Sequence, residues 1–298
     1  MIRHFLSGVY AAALTPLKSD LSPDIGAVTP FLAFLASRGC DGALLFGTTG
    51  EGPSFSPSER AEVWRAAVKV RKQVPDFKLF AGTGTPSLTE TIDLTKLAFE
   101  LGFDAAVTLP PYYYRKATDD GLFHWFEQVI HKAVPSDGFL FGYHIPSAAG
   151  IGFSIELLSR LKDSFPFQFA GIKDSSHDQG FTRSLGEKFG VDLTVFNGTD
   201  SDFTLALQNH AAGCITALAN ILSPSLREIY DLFIQGKDTS AGQAKISEQR
   251  HLLEKYQPFP PLLKALLVRY HHQRRWPVRP PLVEFLKEDE EEVIRELV

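Results

Sequence analysis

The chain has 298 residues, of which 44% are hydrophobic and 22% are charged, and its formal net charge at pH 7 is −5. This composition is ordinary for a globular protein, and the small acidic excess provides no basic field that would attract nucleic acid. The apolar run near the N-terminus is interrupted by Pro16, Lys18 and Asp20. It is too short for a membrane span and predicts a first strand rather than a signal peptide. We therefore expect a cytoplasmic protein that binds neither nucleic acid nor membranes.

Eight short apolar runs predict β-strands along the first three quarters of the chain. In chain order they are residues 9–14, 42–46, 78–82, 104–109, 139–143, 169–173, 193–197 and 213–218. Most are apolar throughout, which is typical of parallel strands that are buried on both faces.

Helical patterns lie between these runs. Residues 30–39, 56–74 and 87–102 have apolar side chains at three- and four-residue steps, as amphipathic helices do. Four serines, each followed within three residues by proline or glutamate, predict helix N-terminal caps: Ser56, Ser87, Ser154 and Ser223.

The order of these elements predicts an α/β fold. Eight strand–helix alternations within roughly 230 residues match a (β/α)8 TIM barrel. A doubly wound open sheet is the alternative, but no glycine-rich phosphate loop opens a helix after the first strand. We predict a catalytic barrel over residues 1–237 and a C-terminal helical extension over 238–298. The acidic run at 287–292 predicts a solvated helix face.

Catalytic groups of a barrel lie where its strands end and the next loops begin. Here those segments supply glycines, hydroxyls and tyrosines, and the lysine Lys173 stands directly at a strand end. No group of histidines, cysteines or carboxylates has metal-ligand spacing, and we predict neither a metal nor a cofactor. Cys40 and Cys214 each lie beside a glycine in an apolar context and predict buried thiols. His271 and His272 are adjacent, so they cannot face one ion from a helix and predict surface positions.

Lys173 follows the apolar run at 169–172 directly. One interpretation is a surface lysine paired with Asp174. The other is a nucleophile, because desolvation at an apolar strand end would lower the pKa of the amine and activate it toward a ketone. Such imine chemistry needs a proton shuttle, and Tyr143 ends the neighbouring predicted strand. The amides and hydroxyls of residues 47–50, from Gly47 to Gly50, offer a site for the carboxylate of a 2-oxo acid.

Several segments together resemble the dihydrodipicolinate synthase/N-acetylneuraminate lyase family of class I pyruvate aldolases. They are GTTGE (47–51), PPYYY (110–114), YHIP (143–146), GIKDSS (171–176), AGCITALAN (212–220) and RPPL (279–282). Their order and spacing agree with the family across essentially the whole chain. The resemblance implies a (β/α)8 barrel with C-terminal helices, which assembles as a homotetramer.

The resemblance also implies roles for individual residues. Lys173 would form the Schiff base with pyruvate, and Tyr143 would donate and accept the proton. Thr48 would link Tyr143 to Tyr113 of a neighbouring subunit, although Tyr112 and Tyr114 are alternatives to Tyr113. In the substrate site, Thr49 would bind the carboxylate, with Gly47 beside it, and the carbonyl of Ile215 would face the pyruvate.

Departures from the family pattern bear on the substrate. Dihydrodipicolinate synthases carry YNVPSRTG, in which the arginine holds the carboxylate of aspartate semialdehyde, whereas this chain has YHIPSAAG with Ala148 at that position. The segment GTTGEGPSFS (47–56) is more similar to 2-keto-3-deoxygluconate aldolases. Pro57 and Arg60 replace two histidines of lysine-inhibited synthases, so we expect no lysine feedback. His144 replaces the usual asparagine, and we expect it to support its loop.

We therefore expect a Schiff-base aldolase that acts on pyruvate and an aldehyde, or on a 2-keto-3-deoxy sugar acid. A 4-hydroxy-tetrahydrodipicolinate synthase and a dehydratase variant are alternatives with the same chemistry. A non-catalytic barrel that binds a 2-oxo acid is an alternative from another class, but it would not need the proton relay.

Overall fold

The computed structural model of the protein describes residues 5–297. Eight parallel strands pair in chain order, and the last pairs with the first, so the sheet closes into a barrel. The strands are β1 (Gly8–Ala12), β2 (Gly42–Leu45), β3 (Lys78–Gly82), β4 (Ala105–Thr108), β5 (Leu140–His144), β6 (Phe169–Asp174), β7 (Thr194–Asn197) and β8 (Gly213–Thr216). The (β/α)8 fold and all eight predicted strand positions are confirmed.

Helices cover the outside of the barrel. They are α1 (Ile25–Ser37), α2 (Pro57–Ala67), α3 (Leu88–Glu100), α4 (Asp119–Ala133), α5 (Pro146–Ala149), α6 (Ile155–Ser164), α7 (Gln179–Phe189), α8 (Phe203–Gln208) and α9 (Ala219–Ile234). Three further helices follow, α10 (Ser240–Glu254), α11 (Phe259–His271) and α12 (Lys287–Leu297). Within residues 5–297, no helix is both long enough and apolar enough to span a bilayer.

The C-terminal helices α10 to α12 were predicted, and the fold confirms them. The boundary between a barrel unit and a helical extension at residues 237 and 238 stays a prediction. The first and last residues of these two predicted units, 1–4 and 298, lie outside the described residues. The acidic run of α12 is not wholly solvated, because Glu290 is buried and forms an ion pair with Arg275 at 2.6 Å.

Three of the four predicted serine caps are confirmed. Ser56 forms a reciprocal capping box with Glu59, and the side chains of Ser87 and Ser154 accept backbone N–H bonds in the first turns of α3 and α6. The prediction for Ser223 is wrong, since α9 begins at Ala219 and is kinked at Leu222.

The early start of α9 has a tertiary cause. The side-chain amide of Asn220 donates to the carbonyl of Ala12, and its oxygen accepts from the N–H of Leu14. These bonds tie the first turn of α9 to the end of β1. A sequence pattern at Ser223 contains no information about a partner more than 200 residues away.

Two other local predictions have mixed outcomes. Cys40 and Cys214 are buried free thiols, as predicted. The surface prediction is confirmed for His272, which is exposed, and wrong for His271, whose ring is half-buried, lies 3.0 Å from the carbonyl oxygen of Ile221 and packs against Phe34.

Aromatic side chains fill the barrel below its C-terminal end. Tyr10, Phe80, Phe141 and Phe196 contact one another with ring centroids 4.7 to 5.8 Å apart. All four are fully buried, and burying each side chain contributes roughly 1.5–3 kcal/mol to stability. This rigid floor closes the barrel and leaves the C-terminal ends of the strands as the position for a site.

Candidate active site

β5 and β6 bring a tyrosine and a lysine side by side. The two strands pair in parallel with Tyr143 opposite Lys173, so both side chains emerge at the same level of the barrel. Lys173 is 3% exposed, and its Nζ lies 3.9 Å from the centroid of the Tyr143 ring. Among residues 5–297 no carboxylate lies within ion-pair distance of this amine. The interpretation of Lys173 as a surface lysine paired with Asp174 is therefore wrong.

Tyr143 is hydrogen-bonded to Thr48, with 3.1 Å between the two hydroxyl oxygens. Burial alone would raise the pKa of Tyr143. The positive charge of Lys173 and the hydrogen bond to Thr48 outweigh burial and bring this pKa below its usual value. A phenol with a lowered pKa, held next to an amine, is suited to giving and taking protons.

The loop after β2 carries Thr48 and Thr49 and is fixed by a buried carboxylate. Glu51 has a left-handed backbone conformation with φ of 57°, which is uncommon for a residue with a side chain. Its Oε1 accepts from Nζ of Lys264 at 2.6 Å, and its Oε2 accepts from the backbone N–H of Arg279 at 2.9 Å. The ion pair joins the loop to α11 and to the segment after it, and both partners are almost wholly buried.

A cavity of about 590 Å³ opens at the C-terminal end of the barrel, a size suited to a small-molecule ligand. It brings together six of the eight residues predicted for the site. These are Thr48, Thr49, Tyr143, Ala148, Lys173 and Ile215.

The other two predicted residues do not line this cavity. Gly47 lies beside it, on a smaller void that it shares with Thr48 and Tyr143. Tyr113 is 76% exposed and its ring packs edge-on against Tyr114. Within a single chain, Tyr113 therefore does not complete a relay with Thr48.

The segment after β5 contributes no charged side chain to the cavity. α5 presents Ser147 and Ala148 to the cavity, and both are exposed. Just before it, Nδ1 of the buried His144 accepts from the backbone N–H of Phe153 at 2.9 Å, which requires a neutral ring. The contact anchors the loop at 150–153, as expected for a supporting role.

The outer wall of the cavity comes from residues that sequence reasoning did not find. His177 follows β6. Arg250 and Glu254 lie at the end of α10, Gln257 lies in the link that follows, and Phe259 begins α11. Nothing in a helical repeat pattern indicates that these C-terminal residues fold over the mouth of the barrel. Among the described residues there is no cluster of three or more histidines, cysteines or carboxylates that could hold a metal ion.

Comparison with known proteins places the chain in a family. The model of the dihydrodipicolinate synthetase family matches residues 5–298. The chain belongs to this family. Its members are class I lyases that form Schiff bases with pyruvate, so the fold and the class of chemistry expected from the sequence are confirmed.

Individual relatives agree over nearly the full length. A protein of Chloroflexus aurantiacus, described as an uncharacterized DapA-like lyase, is 36% identical over 283 residues, which cover 95% of this chain and 93% of the relative. A 4-hydroxy-tetrahydrodipicolinate synthase of Ehrlichia canis is 31% identical over 304 residues, covering 98% and 97%. The crystal structure of dihydrodipicolinate synthase from Agrobacterium tumefaciens is 30% identical, with a TM-score of 0.88 and 97% coverage of each chain.

Proposed function

We propose that this protein is a pyruvate-dependent aldolase that cleaves or forms a 2-keto-3-deoxy sugar acid through a Schiff base on Lys173. The observation that carries the proposal is the charge of the cavity rim. Ala148 and Ser147 stand on α5, and no arginine on that helix is available to hold a second carboxylate. Loss of such a charge-assisted clamp disfavours a small anionic aldehyde.

The proposed reaction begins at the buried amine. Neutral Lys173 attacks the C2 carbonyl of the keto acid, and the carbinolamine loses water with a proton supplied by Tyr143. The resulting iminium withdraws the electron pair of the C3–C4 bond. Tyr143 takes the proton of the C4 hydroxyl as that bond breaks, so the aldehyde leaves and an enamine remains. Protonation of the enamine at C3 and hydrolysis of the iminium release pyruvate and regenerate the amine.

Neighbouring groups support these steps. The 3.1 Å hydrogen bond between Thr48 and Tyr143 holds the phenol in place, and the lowered pKa of Tyr143 eases its change of protonation state. Thr49 is buried at the cavity floor, where its hydroxyl and the loop amides would bind the carboxylate of pyruvate. A barrel that only binds a 2-oxo acid would have no use for this relay.

The alternative activity is 4-hydroxy-tetrahydrodipicolinate synthesis from pyruvate and aspartate semialdehyde. The names of relatives favour it, including the synthase of Ehrlichia canis. That reaction uses the same lysine and tyrosine but a different aldehyde. On α5 of this protein no arginine is present to bind the carboxylate of aspartate semialdehyde. A dehydratase that shares the Schiff-base step is a further variant of the same chemistry.

We also propose a cytoplasmic homotetramer, following the family resemblance. Tyr113 and Tyr114 are 76% and 73% exposed, and exposed aromatic side chains favour contact with another protein surface. In the proposed assembly, Tyr113 of one subunit approaches Thr48 of another and extends the relay.

Steady-state kinetics with pyruvate and two aldehydes test the substrate proposal. We expect kcat/KM for glyceraldehyde to exceed that for aspartate semialdehyde by at least an order of magnitude, because α5 provides no cation for the second carboxylate. Efficient use of aspartate semialdehyde would contradict the sugar-acid proposal and favour the synthase, while leaving the Schiff-base mechanism intact.

A further inference from the structure

The outer wall of the cavity is made by the end of α10 and the start of α11. It faces the cavity together with His177, which follows β6 and has a left-handed φ of 60°. Lys173 and Tyr143 line the same cavity from the barrel side. An aldehyde that reacts at the amine therefore extends toward this wall.

Arg250 is the cation of the wall, and two of its N–H groups are held by carboxylates. Its Nη1 donates to Asp200 and its Nε donates to Glu254, each at 2.8 Å. The guanidinium also lies over the ring of Phe259, 4.5 Å from the centroid, and the side chain is 5% exposed. Asp200 and Glu254 place two carboxylates against this one cation, which disfavours a phosphate or carboxylate ligand at Arg250.

Glu254 is the carboxylate of the wall that lines the cavity, and one of its oxygens remains available. One carboxylate oxygen, Oε1, accepts from Arg250 and lies 3.9 Å from Nδ1 of His177. The other oxygen, Oε2, accepts no hydrogen bond from the residues that the structure describes. The side chain is 29% exposed, so a ligand can reach this oxygen.

We propose that Glu254 and His177 form a subsite for the hydroxyl groups of an uncharged polyhydroxy aldehyde. Oε2 of Glu254 accepts from one hydroxyl, and the ring of His177 hydrogen-bonds a second. The negative charge of Glu254 repels an aldehyde that carries a phosphate or a carboxylate at its far end. The subsite rests on the proposed aldolase function and adds to it the chemical class of the acceptor.

Kinetics of Glu254→Gln test this subsite. The amide oxygen can still accept from Arg250, so the wall is preserved while the negative charge is removed. With pyruvate as the donor, we expect kcat/KM for glyceraldehyde to fall about 10- to 100-fold, mainly through KM, because a hydrogen bond to a charged group is lost. We expect kcat/KM for glyceraldehyde 3-phosphate to rise, because the repulsion is removed. Both changes lower the preference for the uncharged aldehyde.

Two further variants accompany this test. Glu248→Gln removes an exposed carboxylate from the same helix, and it should leave both aldehydes unaffected. His177→Asn removes the ring without touching the contacts of Arg250. It should raise KM for glyceraldehyde, which provides a second test if Glu254→Gln does not fold.

Trapping with pyruvate and borohydride distinguishes a failure of the subsite proposal from a failure of the Schiff-base mechanism. All variants should form the reduced adduct as the wild type does, because pyruvate alone does not reach the wall. If adducts form normally but the ratio of the two aldehydes is the same in Glu254→Gln and in the wild type, the subsite is wrong and the mechanism stands. If the wild type forms no adduct, the aldolase function and the subsite are both wrong.

Discussion

Replacing Lys264 with methionine removes one half of the buried ion pair that holds the loop after β2. The amine is 2% exposed and donates to Glu51 at 2.6 Å and to the carbonyl of Pro277 at 2.7 Å. Burial lowers the pKa of Lys264, while the charge of Glu51 opposes that shift and helps to retain the proton. Methionine has a similar volume, so the substitution removes the charge and the hydrogen bonds and leaves little empty space.

The expected loss of stability is large because Glu51 stays buried without its counter-charge. Breaking a buried pair on one side costs about 3–5 kcal/mol, whereas replacing both charges is often close to neutral. We therefore expect Lys264→Met to lower the free energy of unfolding by that amount, and Glu51→Gln combined with Lys264→Met to recover most of it. The same loop carries Thr48 and Thr49, so kcat/KM for pyruvate should fall in the single variant and partly return in the double variant.

Urea denaturation, followed by tryptophan fluorescence at one fixed protein concentration, measures these differences. Lys255→Met is the matched control, because that amine is 67% exposed and lies 3.9 Å from Glu296. A surface pair of this kind contributes roughly 0–1 kcal/mol. If Lys264→Met is no more destabilising than Lys255→Met, the loop does not depend on the buried pair, and our explanation of its conformation is refuted.

Three other predictions concern pH, specificity and regulation. Burial lowers the pKa of His144, and nearby carboxylates oppose this shift only in part. In the unfolded chain the pKa of histidine is near 6.5, so as pH falls the unfolded chain takes up a proton at His144 before the folded protein does. Stability should therefore fall as pH drops below about 6.5, and His144→Asn should reduce this slope in urea titrations; an unchanged slope would contradict the assignment. Ala148→Arg should raise kcat/KM for aspartate semialdehyde about 10- to 100-fold and lower kcat/KM for glyceraldehyde, since a charged hydrogen bond is worth roughly 1.5–3 kcal/mol. If kcat/KM for aspartate semialdehyde does not rise, this position does not select the aldehyde. Millimolar lysine should not inhibit the enzyme, because Pro57 and Arg60 stand where lysine-inhibited synthases have two histidines. The buried guanidinium of Arg60 donates instead to the carbonyls of Gly52 and Gly82. Inhibition by lysine in steady-state assays would contradict this prediction.

The barrel could be predicted because its strands are buried on both faces. Residues 78–82 coincide with β3, and 169–173 lie within β6, since a strand between a packed interior and a helical layer is apolar at most positions. Ends of other strands were less well defined. The run at 9–14 continues past Ala12, where β1 ends, because apolar residues also line the loop that follows.

The candidate site could be predicted only where it follows the strands. Tyr143 and Lys173 end neighbouring strands, and parallel pairing puts them opposite each other. The contribution of Glu51 could not be predicted, because its partner Lys264 lies 213 positions further along the chain. Arg250 and Glu254 likewise depend on how α10 folds back over the barrel mouth, which no local pattern specifies.

In the proposed mechanism Lys173 forms a Schiff base with pyruvate, and reductive trapping detects this covalent bond directly. The protein is incubated with pyruvate and borohydride, digested, and analysed by mass spectrometry. We expect one reduced pyruvate adduct per chain, on the peptide that contains Lys173, and none in Lys173→Ala. An adduct on another lysine, or no adduct with the wild-type protein, would contradict the account.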